Sequence, residues 1–253
     1  MSRGVSVGVL RRSAAALLGV VGVVLRAPPA LAIDKIYSPQ VVQGEAELEY
    51  FGTRTFDPVA AQDNLQDHEI SIGYGVTDFW APELYALLER APDQSVRISG
   101  VQLENRVQLA PAGKYWLDPG LLVAYTWPTQ SGDPSTLEVK LLLEKLTGRI
   151  LNRVNIGGEQ EFGRNSHSSP DRVILWSTRY LLDPRVTPGF EIQSDFGRAD
   201  EASTFNEQQH YVGPAAYGEI IPHLKYEIAY LFGVSTAASK SAVRLLLEYE
   251  AFF

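Results

Sequence analysis

From residue 43 to its end the chain alternates polar and apolar side chains with period two. Successive side chains of a strand point to opposite faces, so this pattern builds two-faced strands. Between Gly44 and Tyr50, the side chains of Glu45, Glu47 and Glu49 point one way and those of Ala46, Leu48 and Tyr50 the other. Three glutamates on one face cannot line a dry core without partners, so that face is wet. Glu138, Lys140 and Glu144 likewise alternate with Leu137, Val139, Leu141 and Leu143, and Arg244, Glu248 and Glu250 with Val243, Leu245, Leu247 and Tyr249. The pattern predicts twelve strands, at 43–53, 66–76, 81–91, 97–109, 115–127, 135–146, 149–162, 172–182, 186–196, 208–218, 223–234 and 240–253. The faces of 172–182 and 208–218 divide less cleanly.

The spacers also alternate. Those after odd-numbered strands are longer and carry Pro, Gly, Ser and Asn, as in Gly163 to Pro170. Those after even-numbered strands are tight, as in Thr147-Gly148. Short turns on one rim and longer loops on the other are the arrangement of an outer-membrane barrel. A soluble sandwich is the competing all-β architecture. Strand length argues against it, because soluble strands average about 5–6 residues and tilted spanning strands need about 9–11. Aromatics at strand ends argue the same way: the apolar face of 115–127 begins at Tyr115 and ends at Tyr125 and Trp127, with Phe79, Trp80 and Trp116 at the short-turn rim. A membrane strand cannot leave its edge unpaired, so the last strand must close on the first. The expected fold is therefore an all-β, antiparallel, up-and-down transmembrane barrel of about twelve strands, from 43 to 253.

The first 32 residues read as an export signal to be cleaved. Arg3, Arg11 and Arg12 precede an apolar run from Ala14 to Leu25, and Ala30-Leu31-Ala32 fits a cleavage site before Ile33. Residues 33–42 are then expected as a short periplasmic segment. Four of the 22 basic residues and none of the 30 acidic ones lie in the signal, leaving a net charge of −12 beyond it. Such a balance opposes nucleic-acid binding, which needs a basic face. With no cysteine, the chain has no disulfide, thiol nucleophile or thiolate metal site.

Counting back by two from Phe253 gives Ala251, Tyr249, Leu247, Leu245 and Val243. This ending resembles the terminal signal recognised by outer-membrane assembly machinery, with Tyr249 and Phe253 as its aromatic positions. Longer motifs are Tyr37-Ser38-Pro39 with Gly44-Glu45, Gly73-Tyr74-Gly75 through Trp80, Glu104-Asn105-Arg106, Gly213-Pro214, Leu231-Phe232-Gly233 and Glu248-Tyr249-Glu250. Together they resemble a family of Gram-negative outer-membrane β-barrels. That family finishes soon after its Tyr-Glu, so the added Ala251-Phe252-Phe253 leaves the end of the last strand open. A looser likeness is to channel-like barrels associated with phenol degradation. Neither resemblance implies a particular substrate.

The wet faces supply the candidate lumen and selectivity residues: Glu83, Glu104, Arg106, Glu138, Lys140, Glu144, Arg153, Arg179, Glu191, Lys225, Glu227, Arg244 and Glu248. The wet faces as a whole carry sixteen acidic residues against six basic ones, an excess that would favour cations or neutral polar solutes over anions. Catalysis is not expected. A barrel lipase needs a serine, a histidine base and an orienting group on one face, whereas His167 and Ser169 lie in a loop. His68, His210 and His223 read as interfacial residues. Asp57, Asp63 and Asp67 match no ordered calcium loop, and no cofactor motif is present. The expected role is a narrow, porin-like passive channel in the outer membrane. Its partners would be membrane lipid, lipopolysaccharide, the assembly machinery and small polar solutes. A non-conducting structural barrel and a lipid-modifying enzyme are the alternatives.

Overall fold

The structure is a computed structural model that describes residues 33–253; the expected signal at 1–32 lies outside them. Twelve antiparallel strands form one closed barrel. They are β1 (Glu45–Phe56), β2 (Gln66–Tyr74), β3 (Trp80–Arg90), β4 (Arg97–Gln108), β5 (Asp118–Pro128), β6 (Ser135–Thr147), β7 (Ile150–Phe162), β8 (Asp171–Tyr180), β9 (Thr187–Arg198), β10 (Gln209–Ile221), β11 (Leu224–Gly233) and β12 (Ser241–Phe252). Each pairs with its sequence neighbours, and β1 pairs with β12 from Glu45 opposite Phe252 to Phe56 opposite Ser241. The last strand thus includes Ala251 and Phe252, and the Phe253 N–H donates to the Gly44 carbonyl at 3.0 Å.

The period-two faces hold. Leu48, Ile72, Leu84, Leu103, Val139, Ile156, Ile228 and Tyr249 are exposed on the outer wall. Glu49, Glu83, Glu104, Lys140, Glu191 and Arg244 are buried on the inner one. The faces that were unclear in sequence resolve the same way, with Leu175, Ser177 and Arg179 of β8 and Tyr211, Ala215 and Tyr217 of β10 buried inside.

Two expectations need correction. First, β5 begins at Asp118 rather than 115, so Tyr115 and Trp116 belong to the 109–117 turn. That turn closes on its own bonds: Gly113 N–H donates to Asp118 Oδ1 (2.7 Å), and Leu109 N–H donates to the Pro119 carbonyl (3.0 Å). Second, residues 33–42 do not sit outside the barrel. Ile33, Lys35, Ile36, Tyr37 and Val41 are buried, and the partners of this stretch are lumen side chains. The physical reason lies on the inner wall, which is not polar throughout. Leu122, Ala124 and Leu142 form an apolar notch around Tyr37. Tyr211, Tyr217, Ala229 and Leu231 pack with Ile33. Apolar surface facing a water-filled lumen is unfavourable, and covering it with Ile33 and Tyr37 gains of order 1.5–3 kcal/mol per large side chain.

Candidate functional site

The internal segment, residues 33–43, enters at the short-turn rim. Gly44 adopts φ +82°, in the left-handed region that glycine tolerates. Its N–H donates to the Gly75 carbonyl at 2.8 Å, which pins the joint to the rim. From there the chain runs up the lumen. Val41 N–H donates to Gln108 Oε1 (2.8 Å), and Ser38 Oγ (3.0 Å) and Gln40 Nε2 (2.6 Å) donate to the Glu144 carboxylate. Asn155 is fully buried and clamps Tyr37 at two points: its Oδ1 accepts the Tyr37 N–H at 2.7 Å, and its Nδ2 donates to the Tyr37 carbonyl at 3.1 Å. Lys35 pairs with Glu49, and Asp34 pairs with Lys140, which also holds Glu138. Asp34 N–H donates to Gln193 Oε1 at 2.8 Å.

Below the segment lies a cluster of arginines. Glu227 is the hub, 2.9 Å from Arg179 Nη2, 3.0 Å from Arg244 Nη2 and 3.9 Å from Arg153 Nη1. Arg153 Nε also reaches Glu144 at 2.6 Å. Arg244 is fully buried against Glu191, whose carboxylate also accepts the Tyr217 hydroxyl at 2.7 Å. Arg179 stacks over the Tyr217 ring with Cζ 3.6 Å from the centroid. Arg106 meets Glu47 at 3.1 Å.

The segment leaves two cavities. One, of about 450 Å³, lies on the short-turn side and has mixed charge; it is bordered by Arg106, Arg153, Arg179 and Lys225 and by Glu47, Glu227, Glu248 and Glu250. The other, of about 210 Å³, lies on the long-loop side. Its charged lining is wholly acidic: Asp34, Asp67, Glu69, Glu138, Glu159, Asp171 and Asp195. Tyr37 borders both.

All thirteen candidate lumen residues therefore lie on the inner wall, in three groups. Arg106, Arg153, Arg179, Lys225, Glu227 and Glu248 border the larger cavity, and Glu138 the smaller. Glu83, Glu104, Lys140, Glu144, Glu191 and Arg244 border neither; they sit in the packed wall around the segment. Glu83 accepts the Ser71 hydroxyl, and neither oxygen of the buried Glu104 has a hydrogen-bond partner. Sequence reasoning missed Asp34, Lys35, Tyr37 and Asn155. The available signal was the run of apolar residues Leu122, Ala124 and Leu142 on otherwise polar faces, together with the Tyr-Ser-Pro motif just before the barrel.

The loop candidates separate. His167 faces Glu161 and Arg198, while Ser169 hydrogen-bonds Asp200, so the two do not form a nucleophile–base pair. His68 accepts or donates to Tyr50 Oη at 2.8 Å, His210 stacks on Phe205, and His223 sits in the β10–β11 turn. Asp57 and Asp63 bind loop backbone, and among the described residues no three or more His, Asp or Glu side chains come together as a metal-ligand cluster. In the 199–208 loop, hydrogen bonding and charge from Arg198 hold Asp200 below the ordinary carboxylate range. The backbone N–H and hydroxyl of Thr204 do the same for Glu207.

No family model matches the chain, and no curated protein matches its sequence. Solved structures do match. An outer membrane channel from Pseudomonas putida F1 has a TM-score of 0.61 at 13% identity, over 87% of this chain and 100% of that one. The KdgM porin gives 0.55 at 9% identity, over 82% and 99%. The NanC porin gives 0.51 at 12% identity, over 81% and 99%. At such identities the likeness is one of fold, and the fold is that of porin-like outer-membrane barrels.

Proposed function

We propose that the chain is a narrow passive channel of the Gram-negative outer membrane that admits small cationic or neutral polar solutes. The observation that carries this reading is the small cavity at the long-loop rim, whose charged lining is seven carboxylates, Asp34 and Glu138 paired with Lys140 and the other five in no salt bridge among the described residues. Carboxylates around a narrow, low-dielectric mouth concentrate cations and repel anions. The larger cavity offers ion-paired walls of both signs, suited to polar solutes of little net charge. Membrane lipid and lipopolysaccharide would surround the apolar outer wall, and Tyr249 with the exposed Phe253 would serve the assembly machinery.

The test is the reversal potential of refolded protein in a planar bilayer under a salt gradient. A cation-selective potential that moves toward zero in the Glu138→Gln/Glu159→Gln double variant supports the reading. An anion-selective potential, or one indifferent to that variant, contradicts it. A second reading, a non-conducting structural barrel, draws on the internal segment, which stands between the two cavities. It predicts silence from a fully folded, heat-modifiable barrel.

A further inference from the structure

Nothing in the barrel ladder depends on residues 33–43. The bonds that seat residues 33–41 on the barrel end on side chains of the inner wall, at Gln108, Glu144, Asn155, Gln193, Glu49 and Lys140, and barrel backbone is met next to the joint, where the Val42 carbonyl accepts the Glu45 N–H at 3.3 Å. Moving the segment therefore breaks no strand pairing. The joint, in contrast, is fixed on both sides, since Gly44 donates to Gly75 and accepts from Phe253. The wall is shaped to this path. A β-carbon at Gly75 would collide with the Val42 carbonyl, and one at Gly120 would lie 2.7 Å from Pro39 Cβ. Open space of about 450 Å³ on one side and about 210 Å³ on the other gives the segment room to shift.

We propose that residues 33–43 are a tethered gate that pivots about Gly44, so that withdrawal of Tyr37 from its notch joins the two cavities. The proposal rests on the channel reading above. It gives the Tyr-Ser-Pro and Gly-Glu motifs distinct tasks. Tyr37 is the stopper, held by the Asn155 clamp and the Leu122, Ala124 and Leu142 walls. Ser38 and Pro39 follow the wall past Glu144 and Gly120. Gly44 is the pivot. When the stopper leaves, Lys140 keeps Glu138 and Glu144 keeps Arg153, while Glu49 gives up Lys35 and must take water from the opened lumen in its place.

The absence of native cysteine makes the test clean. In the full-length Pro39→Cys/Gly120→Cys variant the two β-carbons need only about 1 Å of retreat to reach the spacing of about 3.8 Å that a disulfide prefers. Bilayer current is recorded before and after reduction, on protein whose heat-modifiable migration shows a folded barrel. The expected result is at least tenfold less current in the oxidised form, restored by reduction. A second readout is the rate at which a water-soluble maleimide labels the single variant Pro39→Cys. Labelling is expected to be at least tenfold slower than in the unfolded chain, and to speed up when Asn155→Leu is added. Equal current in the oxidised and reduced forms, with the disulfide verified, overturns the gate and leaves the channel standing. Silence in both forms overturns the channel reading and the gate with it. Labelling as fast as in the unfolded chain shows that the segment is not seated, and overturns the gate whatever the current.

Discussion

Two side chains carry unusual responsibility. Asn155 is fully buried and satisfies both backbone groups of Tyr37. Asn155→Leu removes both bonds and strands an N–H and a C=O beside apolar bulk, which costs of order 1–3 kcal/mol per unsatisfied group. The cost falls on the seated segment and not on the barrel. We expect faster amide exchange in residues 34–41 with an unchanged urea midpoint for the barrel itself. Glu227 is the opposite case. It lies among Arg153, Arg179 and Arg244, and its loss leaves buried guanidinium groups facing one another. Breaking a buried ion pair by removing one partner costs of order 3–5 kcal/mol. Glu227→Gln should therefore lower the urea midpoint of refolding into micelles, and adding Arg179→Met should recover part of the loss. A midpoint unmoved by Glu227→Gln would show that the cluster is well hydrated.

Among the elements, the strands were legible and the internal segment was not. Alternation identified β6 and β12 face by face because every inner position of charge, such as Glu138, Lys140 and Arg244, contrasts with leucine or valine outside. β10 was obscure because its inner residues Tyr211, Ala215 and Tyr217 are apolar, and they are apolar because Ile33 covers them. The same fact hid the segment itself. Its partners Gln193, Asn155 and Glu144 are far away in sequence, and nothing local distinguishes an ordered lumen strap from a free periplasmic tail. The start of β5 was read too early because Tyr115 and Trp116 continue the alternation, while Gly113 and Asp118 fold them into a turn. Loop order has its own prediction. Asp200 and Glu207 have depressed pKa values, so the stability they give the 199–208 loop is present above their unfolded values of about 4 and is lost as pH falls through the lower folded ones. Limited proteolysis should find that loop protected near neutral pH and cut faster below about pH 4, with Glu207→Gln cut faster at both.

At the scale of the whole molecule, a twelve-strand barrel is wide enough that its lumen must be filled with water, side chains or chain, since eight strands are already filled by side chains alone. Here side chains and chain both contribute. The wall supplies ion-paired charge, the chain supplies its own residues 33–43, and two cavities remain. Function follows from the division. In the proposed channel the acidic mouth would select what enters, and the segment stands between that mouth and the larger cavity. The claim on which this depends is that the segment occupies the lumen of the folded protein. Amide hydrogen exchange, read residue by residue on the barrel in lipid bilayers, tests it without altering the chain. The account predicts strong protection at Asp34, Tyr37 and Val41, whose N–H groups are bonded to Gln193, Asn155 and Gln108. Exchange of all three at the rate of an unstructured peptide, in a barrel whose strands remain protected, would contradict it.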